Sequence, residues 1–244
     1  MSRRGNTAQA ERFFRESLEI DLVTLSKEHP DVGISLSNLA GVLSKAGNYS
    51  AAESLFAEAL QVQRAILGEQ DLDLSTTLNN YASLLKKQGK YTMAGSLLRE
   101  ALRIRREELG ETHWHVANTL NNLAHLLAEQ GDDAGAEPLY YEALSIYRGE
   151  REAHSNIGIA LNNLANLYRA RGNVALAEST YDQALEIYRK SVGESHYLFA
   201  DCLSNLALLR EDIKDFAGAE PLHRGDQACN ISKIALRVAC RRSS

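Results

Sequence analysis

Leu36-Ser37-Asn38-Leu39-Ala40 returns as Leu78-Asn79-Asn80-Tyr81-Ala82, Leu120-Asn121-Asn122-Leu123-Ala124, Leu161-Asn162-Asn163-Leu164-Ala165 and Leu203-Ser204-Asn205-Leu206-Ala207, at successive spacings of 42, 42, 41 and 42 residues. A fixed stride of this size means tandem supersecondary units stacked in one direction. Such an array offers extended surface in place of one deep pocket, so binding leads the functional expectations and catalysis has to be argued in against it.

Around the quoted stretch the apolar residues keep helical spacing. Leu36, Leu39, Ala40 and Leu43 stand at i, i+3, i+4 and i+7, as do Leu78, Tyr81, Ala82 and Leu85, then Leu120, Leu123, Ala124 and Leu127, then Leu161, Leu164, Ala165 and Tyr168. A second stripe follows in each unit, for example Ala52, Leu55, Phe56, Ala59 and Leu60, matched by Ala94, Leu97, Leu98, Ala101 and Leu102. Each unit is therefore two helices. Gly47, Gly89, Gly131 and Gly172 fall between the stripes, where a residue free to adopt a left-handed conformation ends one helix and reverses the chain. So short a turn makes the two helices antiparallel neighbours. Gly68, Gly110 and Gly193 close the second helices, and Asp31, Asp73 and Asn156 stand where they can cap the next first helix. With no strand pattern anywhere, the expected fold is all-α, an array of antiparallel helix hairpins.

His29-Pro30-Asp31, the Leu-x-Asn-Leu-Ala of 36–40, Gly47-x-Tyr49, Ala52-Glu53, Ala59-Leu60 and Leu67-Gly68-Glu69 together resemble the tetratricopeptide repeat in its 42-residue, kinesin light chain-like form. The likeness covers about residues 8 to 223. It implies a right-handed superhelical solenoid whose first helices line a concave groove. The expected division is a disordered N-terminus over 1–7, a lone second helix over 8–28, repeats over 29–70, 71–112, 113–153 and 154–195, a degenerate fifth repeat over 196–223, and a basic tail over 224–244 that is either a capping helix or disordered. In the fifth repeat Lys214 replaces the turn glycine and Arg210 an apolar position. Both irregular ends fit an excerpt of a longer array or a degenerate one.

Composition narrows the function classes. The 244 residues are 44% hydrophobic and 24% charged with net charge -5, and the pI near 5.8 gives no electrostatic footprint for a polyanion. Nucleic acid is not an expected partner. Cys202, Cys229 and Cys240 form no metal-like spacing and their odd number suits a reducing compartment. No secretory signal and no run of about 18–20 apolar residues is present, so no membrane partner is expected and the cytoplasm is the default location. His29, His113, His154 and His196 are one position repeated before each first helix, a repeat apart, and cannot converge on one ion. No phosphate loop, nucleophile motif or HExxH is found. Neither enzyme activity nor a cofactor or metal is expected.

The first helices carry an excess of amides. Asn38, Asn80, Asn122, Asn163 and Asn205 hold one position in all five units, preceded by Asn79, Asn121 and Asn162 in the middle three. Asparagine competes with the backbone for hydrogen bonds and is a poor helix-interior residue, so something other than helix formation favours it. One reading is a ladder of donors and acceptors along the groove for the backbone of a bound peptide. The other is that the amides tie neighbouring hairpins together. Replacing Asn121 and Asn162 with alanine is expected to weaken partner binding while leaving helical content and melting nearly unchanged; a fall in melting temperature would instead favour inter-hairpin ties. Ser83, Asn118, His125 and Asn166 flank the ladder, with Lys86, Lys87 and Arg169 further along. A basic rim would favour acidic peptides or a C-terminal carboxylate, although lysines near a helix end also complement its dipole. The carboxylate clamp of some tetratricopeptide proteins is not reproduced, because its positions hold Ser37, Gly41, Asn80, Asn118 and Asn122.

The leading expectation is a protein interaction scaffold that holds a segment of a partner in this groove. The alternative is the regulatory or sensor region of a larger signalling protein, linked to a kinase or NTPase.

Overall fold

The computed structural model describes residues 3–27, 29–149 and 154–225. They form two compact units, Met1–Leu126 and Leu127–Ser244. In unit 1, α1 (Arg3–Thr24) precedes the hairpin of α2 (Pro30–Ala46) and α3 (Tyr49–Leu67), the hairpin of α4 (Leu72–Lys87) and α5 (Tyr91–Leu109), and α6 (Trp114–Glu129), whose last residues begin unit 2. Here α1 packs on α2, α2 on α3, α3 on α4 and α4 on α5, with α2 also touching α4. In unit 2, α7 (Asp133–Gly149), α8 (His154–Ala170), α9 (Val174–Ser191) and α10 (Tyr197–Asp212) follow, each packed on the next, and residues 216–225 are helical. Within 1–7 the helix already begins at Arg3. The expectations for the tail lie outside the described residues from 226 onward.

The stripes read from the sequence are the core. Leu36, Leu39, Ala40 and Leu43, with their equivalents Leu78, Ala82, Leu85, Leu120 and Ala124, are buried, and full burial of each leucine is worth roughly 1.5–3 kcal/mol. Alanines at the closest approaches are completely inaccessible, among them Ala52, Ala59, Ala94 and Ala101.

Turn chemistry explains the punctuation. Gly47 sits at φ 88°, its N–H reaching the carbonyls of Leu43 and Ser44, and Asn48 N–H also donates to Leu43, so the orphan carbonyls of α2 are satisfied. Lys214 takes the same left-handed conformation at φ 62° without a glycine, alone among the described non-glycine residues. That costs about 1–2 kcal/mol.

The caps differ from the expectation. Asp31 and Asp73 lie inside the first turn, and Asn156 lies inside α8. The capping side chains stand two residues earlier. His29 Nδ1 accepts from Asp31 N–H at 3.3 Å, His113 Nδ1 from His115 N–H at 3.1 Å and His196 Nδ1 from Leu198 N–H at 3.3 Å. Asp71 does the same for Asp73 and Leu74. At 29, 113 and 196 the repeated histidine is therefore an N-cap, its Nδ1 lone pair standing in for the usual oxygen.

One column of second-helix residues varies from repeat to repeat: Asp21, Gln63, Arg105, Tyr147 and Tyr188. Ser35 donates to Asp21 Oδ2 at 2.5 Å. Arg105 is buried and donates from Nε to Ser75 Oγ at 3.0 Å and from Nη1 to Thr119 Oγ1 at 2.7 Å. Tyr188 lies so close to Gly158 that a Cβ there would be 2.5 Å from its Cε1.

Candidate functional site

The Asn columns divide by what surrounds them. Asn122 Nδ2 donates to Asn79 Oδ1 at 2.9 Å in unit 1, and Asn205 Nδ2 donates to Asn162 Oδ1 at 3.1 Å in unit 2. Each bond joins the ladder position of one repeat to the preceding position of the repeat before it. These four amides are spent at least in part on neighbouring hairpins. Asn121 is buried, and Asn118, Asn121 and Asn163 carry further polar contacts. Asn166 Oδ1 accepts from the Tyr181 hydroxyl at 2.5 Å. Ser83 donates back to the carbonyl of Asn79 at 3.1 Å.

The basic rim divides in the same way. Arg169 Nε lies 2.6 Å from Asp212 Oδ2, which neutralises it, and Lys86 Nζ sits 3.2 Å from His125 Nδ1. Lys87 is exposed.

Four polar side chains on the first helices of unit 1, Asn38 and Lys45 of α2 and Asn80 and Lys87 of α4, make no side-chain hydrogen bond or ion pair among the described residues, and all four are exposed. They line one cavity of about 350 Å³. Phe14 of α1, Val42 and Phe56 supply its apolar wall, and Ser37, Ser44 and Ser83 add hydroxyls. Phe56 is fixed from behind by stacking on Tyr81, with ring centroids 5.4 Å apart. Gly41 is part of the lining, and a Cβ there would meet nothing within 4 Å. The cavity is open because this register, which holds Ser83, His125 and Asn166 in later repeats, holds no side chain in the first. Two cations, two amides and an aromatic wall around open space form a site able to take a carboxylate and an apolar side chain on one extended segment.

Of the residues lining this cavity, the sequence reading named Asn38, Asn80, Ser83 and Lys87 as groove residues and did not name Lys45, Gly41 or Phe14 as such. Lys45 was within reach of the period, being 42 residues ahead of Lys87. Phe14 had no such signal, because only the fold brings α1 against the first helix of the next unit.

In unit 2 a larger cavity of about 780 Å³ lies over Ile157, Leu161 and Ile187, bordered by Arg148 and by Glu178, Asp182 and Glu186 of α9. Glu178 is bound by Arg210 and Glu186 by Arg189 and Lys190. None of the residues expected from sequence borders it.

Within each unit a second-helix carboxylate ties consecutive hairpins. Glu53 receives Lys90 Nζ at 2.6 Å and Gln88 Nε2 at 2.9 Å, and these bonds, the lysine first, hold its carboxyl below the ordinary range. Glu137 receives Arg171 Nη1 at 2.5 Å and the Tyr168 hydroxyl at 3.1 Å, and is lowered mainly by the arginine. Burial, aided by Arg105 and His113, pushes the His115 imidazole down to about 4. No group of three or more His, Cys, Asp or Glu among the described residues is placed to hold a metal ion.

The sequence signature of the tetratricopeptide repeat matches residues 1–65, 73–149 and 156–239. The chain belongs to the tetratricopeptide repeat family. Its repeats are kinesin light chain-like, its fold is the family's all-α repeat solenoid of helix hairpins, and repeats of this family mediate protein–protein interaction. The matched spans leave no room for a kinase or NTPase domain within these 244 residues.

Solved structures share the fold. BtubC (BKLC) from P. vanneervenii is 24% identical, with 94% of this chain and 90% of that one covered and a TM-score of 0.69. The nearly identical TPR-like repeats of a Podospora anserina putative kinesin light chain are 20% identical over 84% of this chain and 98% of theirs, at 0.67. The pilF protein of Pseudomonas aeruginosa is 21% identical over 90% and 82%, at 0.58. No curated protein matches the chain. No helix among the described residues is long and apolar enough to cross a membrane.

Proposed function

We propose that this tetratricopeptide chain is a non-enzymatic scaffold that holds an extended segment of a partner protein in the concave cavity of its first two repeats. The observation that carries the reading is the convergence of Asn38, Asn80, Lys45 and Lys87, without partners among the described residues, on one cavity walled by Phe14 and Phe56. Two lysines one repeat apart favour an acidic segment, whose backbone the two amides would fix. Within unit 1 the other expected groove residues, Asn79, Ser83, Lys86, Asn118, Asn121, Asn122 and His125, would flank this cavity; Asn162, Asn163, Asn166, Arg169 and Asn205 belong to unit 2 and are no part of it.

Selection of displayed random peptides against the full chain tests this. Enriched peptides should carry acidic residues and lose at least tenfold in affinity for the Lys45→Glu/Lys87→Glu variant, with Arg169→Glu having little effect. Peptides insensitive to both lysines would place the binding surface elsewhere.

A further inference from the structure

The outer face of α1 is an apolar strip that the rest of the chain shows how to cover. Phe13 and Ile20 are each 61% exposed, with the small Ser17 between them on the same helical face. The stride of 42 places these three in register with Leu55, Ala59 and Val62 of α3. Those residues are not bare. Ala59 is buried in one cluster with Val32 and Leu36 of α2, and Leu55 and Val62 pack against that cluster. In the first full hairpin, then, this second-helix face is covered by a first helix presenting branched aliphatic side chains at i and i+4. The opposite side of α1 is already used, through Leu18 on the same cluster and Phe14 in the groove cavity. Among the described residues α1 packs on α2 alone.

A second observation is independent of the first. Val23 follows Ile20 by one turn and is 85% exposed, in a register that holds Ala65, Glu107, Gly149 and Lys190 in the later repeats. These stand in water in every case. At Val23 the chain therefore carries an apolar residue where its own packing rule asks for none, and it lengthens the Phe13–Ile20 strip by a turn. Solvated faces have no use for it.

The geometry points to a docking surface on α1, formed by Phe13, Ser17, Ile20 and Val23, that takes an amphipathic α-helix supplied in trans with branched aliphatic residues at i and i+4, the first-helix chemistry of Val32 and Leu36. The small Ser17 lets the incoming backbone approach as closely as Ala59 lets α2 approach α3. Phe13 and Ile20 flank the crossing as Leu55 and Val62 do. Helix-in-groove recognition of this kind needs a short apolar stripe and few polar contacts. The surface is separate from the groove, since its residues are on the face of α1 turned away from Phe14.

The chain itself supplies the probe. A fluorescent peptide of residues 29–47, which carries Val32 and Leu36, should bind the full chain saturably, and Phe13→Asp/Ile20→Asp should weaken it at least tenfold. Both side chains are exposed, so the variant keeps its helical circular dichroism. The groove variant Lys45→Glu/Lys87→Glu should bind the same peptide unchanged, which separates this surface from the proposed peptide site. Absence of binding, or binding insensitive to Phe13 and Ile20, overturns the inference. So does a concentration-dependent dimer in sedimentation that those substitutions abolish, because a second copy would then be the occupant.

Discussion

Replacing Gly41 with leucine should stabilise the protein and abolish its proposed peptide binding. Gly41 is a helix-interior residue of α2, where glycine costs about 1 kcal/mol relative to alanine and leucine stays within a few tenths of alanine. A Cβ at Gly41 meets nothing within 4 Å, so no clash offsets the gain. The net is about 0.8 kcal/mol of stability, or a melting temperature raised by about 2–3 °C for a chain of this size. The added side chain projects into the cavity between Asn38, Asn80, Phe14 and the two lysines, and the segment held there should lose tenfold or more in affinity. Gly158 is the internal control, a helix-interior glycine of α8 in the opposite situation. Its added Cβ would be 2.5 Å from Cε1 of the buried Tyr188, and overpacking of about 1–3 kcal/mol exceeds the propensity gain. Gly158→Ala should therefore melt lower. Circular dichroism melts with fluorescence anisotropy of a selected peptide read both outcomes. A lower melting temperature for Gly41→Leu would refute the open-space argument. A higher one with unchanged affinity would remove the cavity from the binding site.

Lys214→Gly relieves the left-handed strain at φ 62° and should raise stability by about 1 kcal/mol in denaturant titration; an unchanged midpoint would mean the turn relaxes at no cost. Asn162→Ala removes the acceptor of Asn205 and should lower stability by about 0.5–1.5 kcal/mol, whereas Asn38→Ala, on an exposed helix face, should melt the same or slightly higher and weaken peptide binding. If both melt alike, the division between tying and ligand-facing amides is wrong. His115 has its pKa lowered to about 4 from the usual imidazole value. The unfolded chain then takes up a proton that the folded chain refuses, and stability falls as pH drops from about 6.5 towards 4. The slope is below about 1.4 kcal/mol per pH unit because the ring is only partly buried. His115→Gln should flatten that part of the melting profile relative to the parent.

The fold was legible because every signal for it is periodic. Leu36, Ala40, Gly47 and Ala52 each recur at 42 residues, and periodicity needs no knowledge of what touches what. The site was only partly legible, for the opposite reason. Asn80 and Asn122 share a register and look alike in sequence, yet Asn122 is bonded to Asn79, 43 residues earlier, whereas Asn80 has Ser37 at that separation and makes no side-chain hydrogen bond among the described residues. Arg169 read as rim until Asp212, 43 residues on, came to lie beside it. The caps were misplaced because a histidine seldom serves as one. Three histidines do so here, each needing a bare Nδ1 lone pair that sequence does not display.

The varying column from Asp21 to Tyr188 bears on how such a chain reaches its native order. Hairpins this alike invite a nascent chain to pair a second helix with the first helix of the wrong repeat, the characteristic failure of repeat proteins. Arg105 finds hydroxyls at Ser75, Thr76 and Thr119, and the Tyr188 ring fits where Gly158 leaves a gap. Shifted by two repeats, the guanidinium would be buried against glycine and the ring would strike a serine. The second and fourth hairpins thus each carry an address that a shift of two repeats would violate.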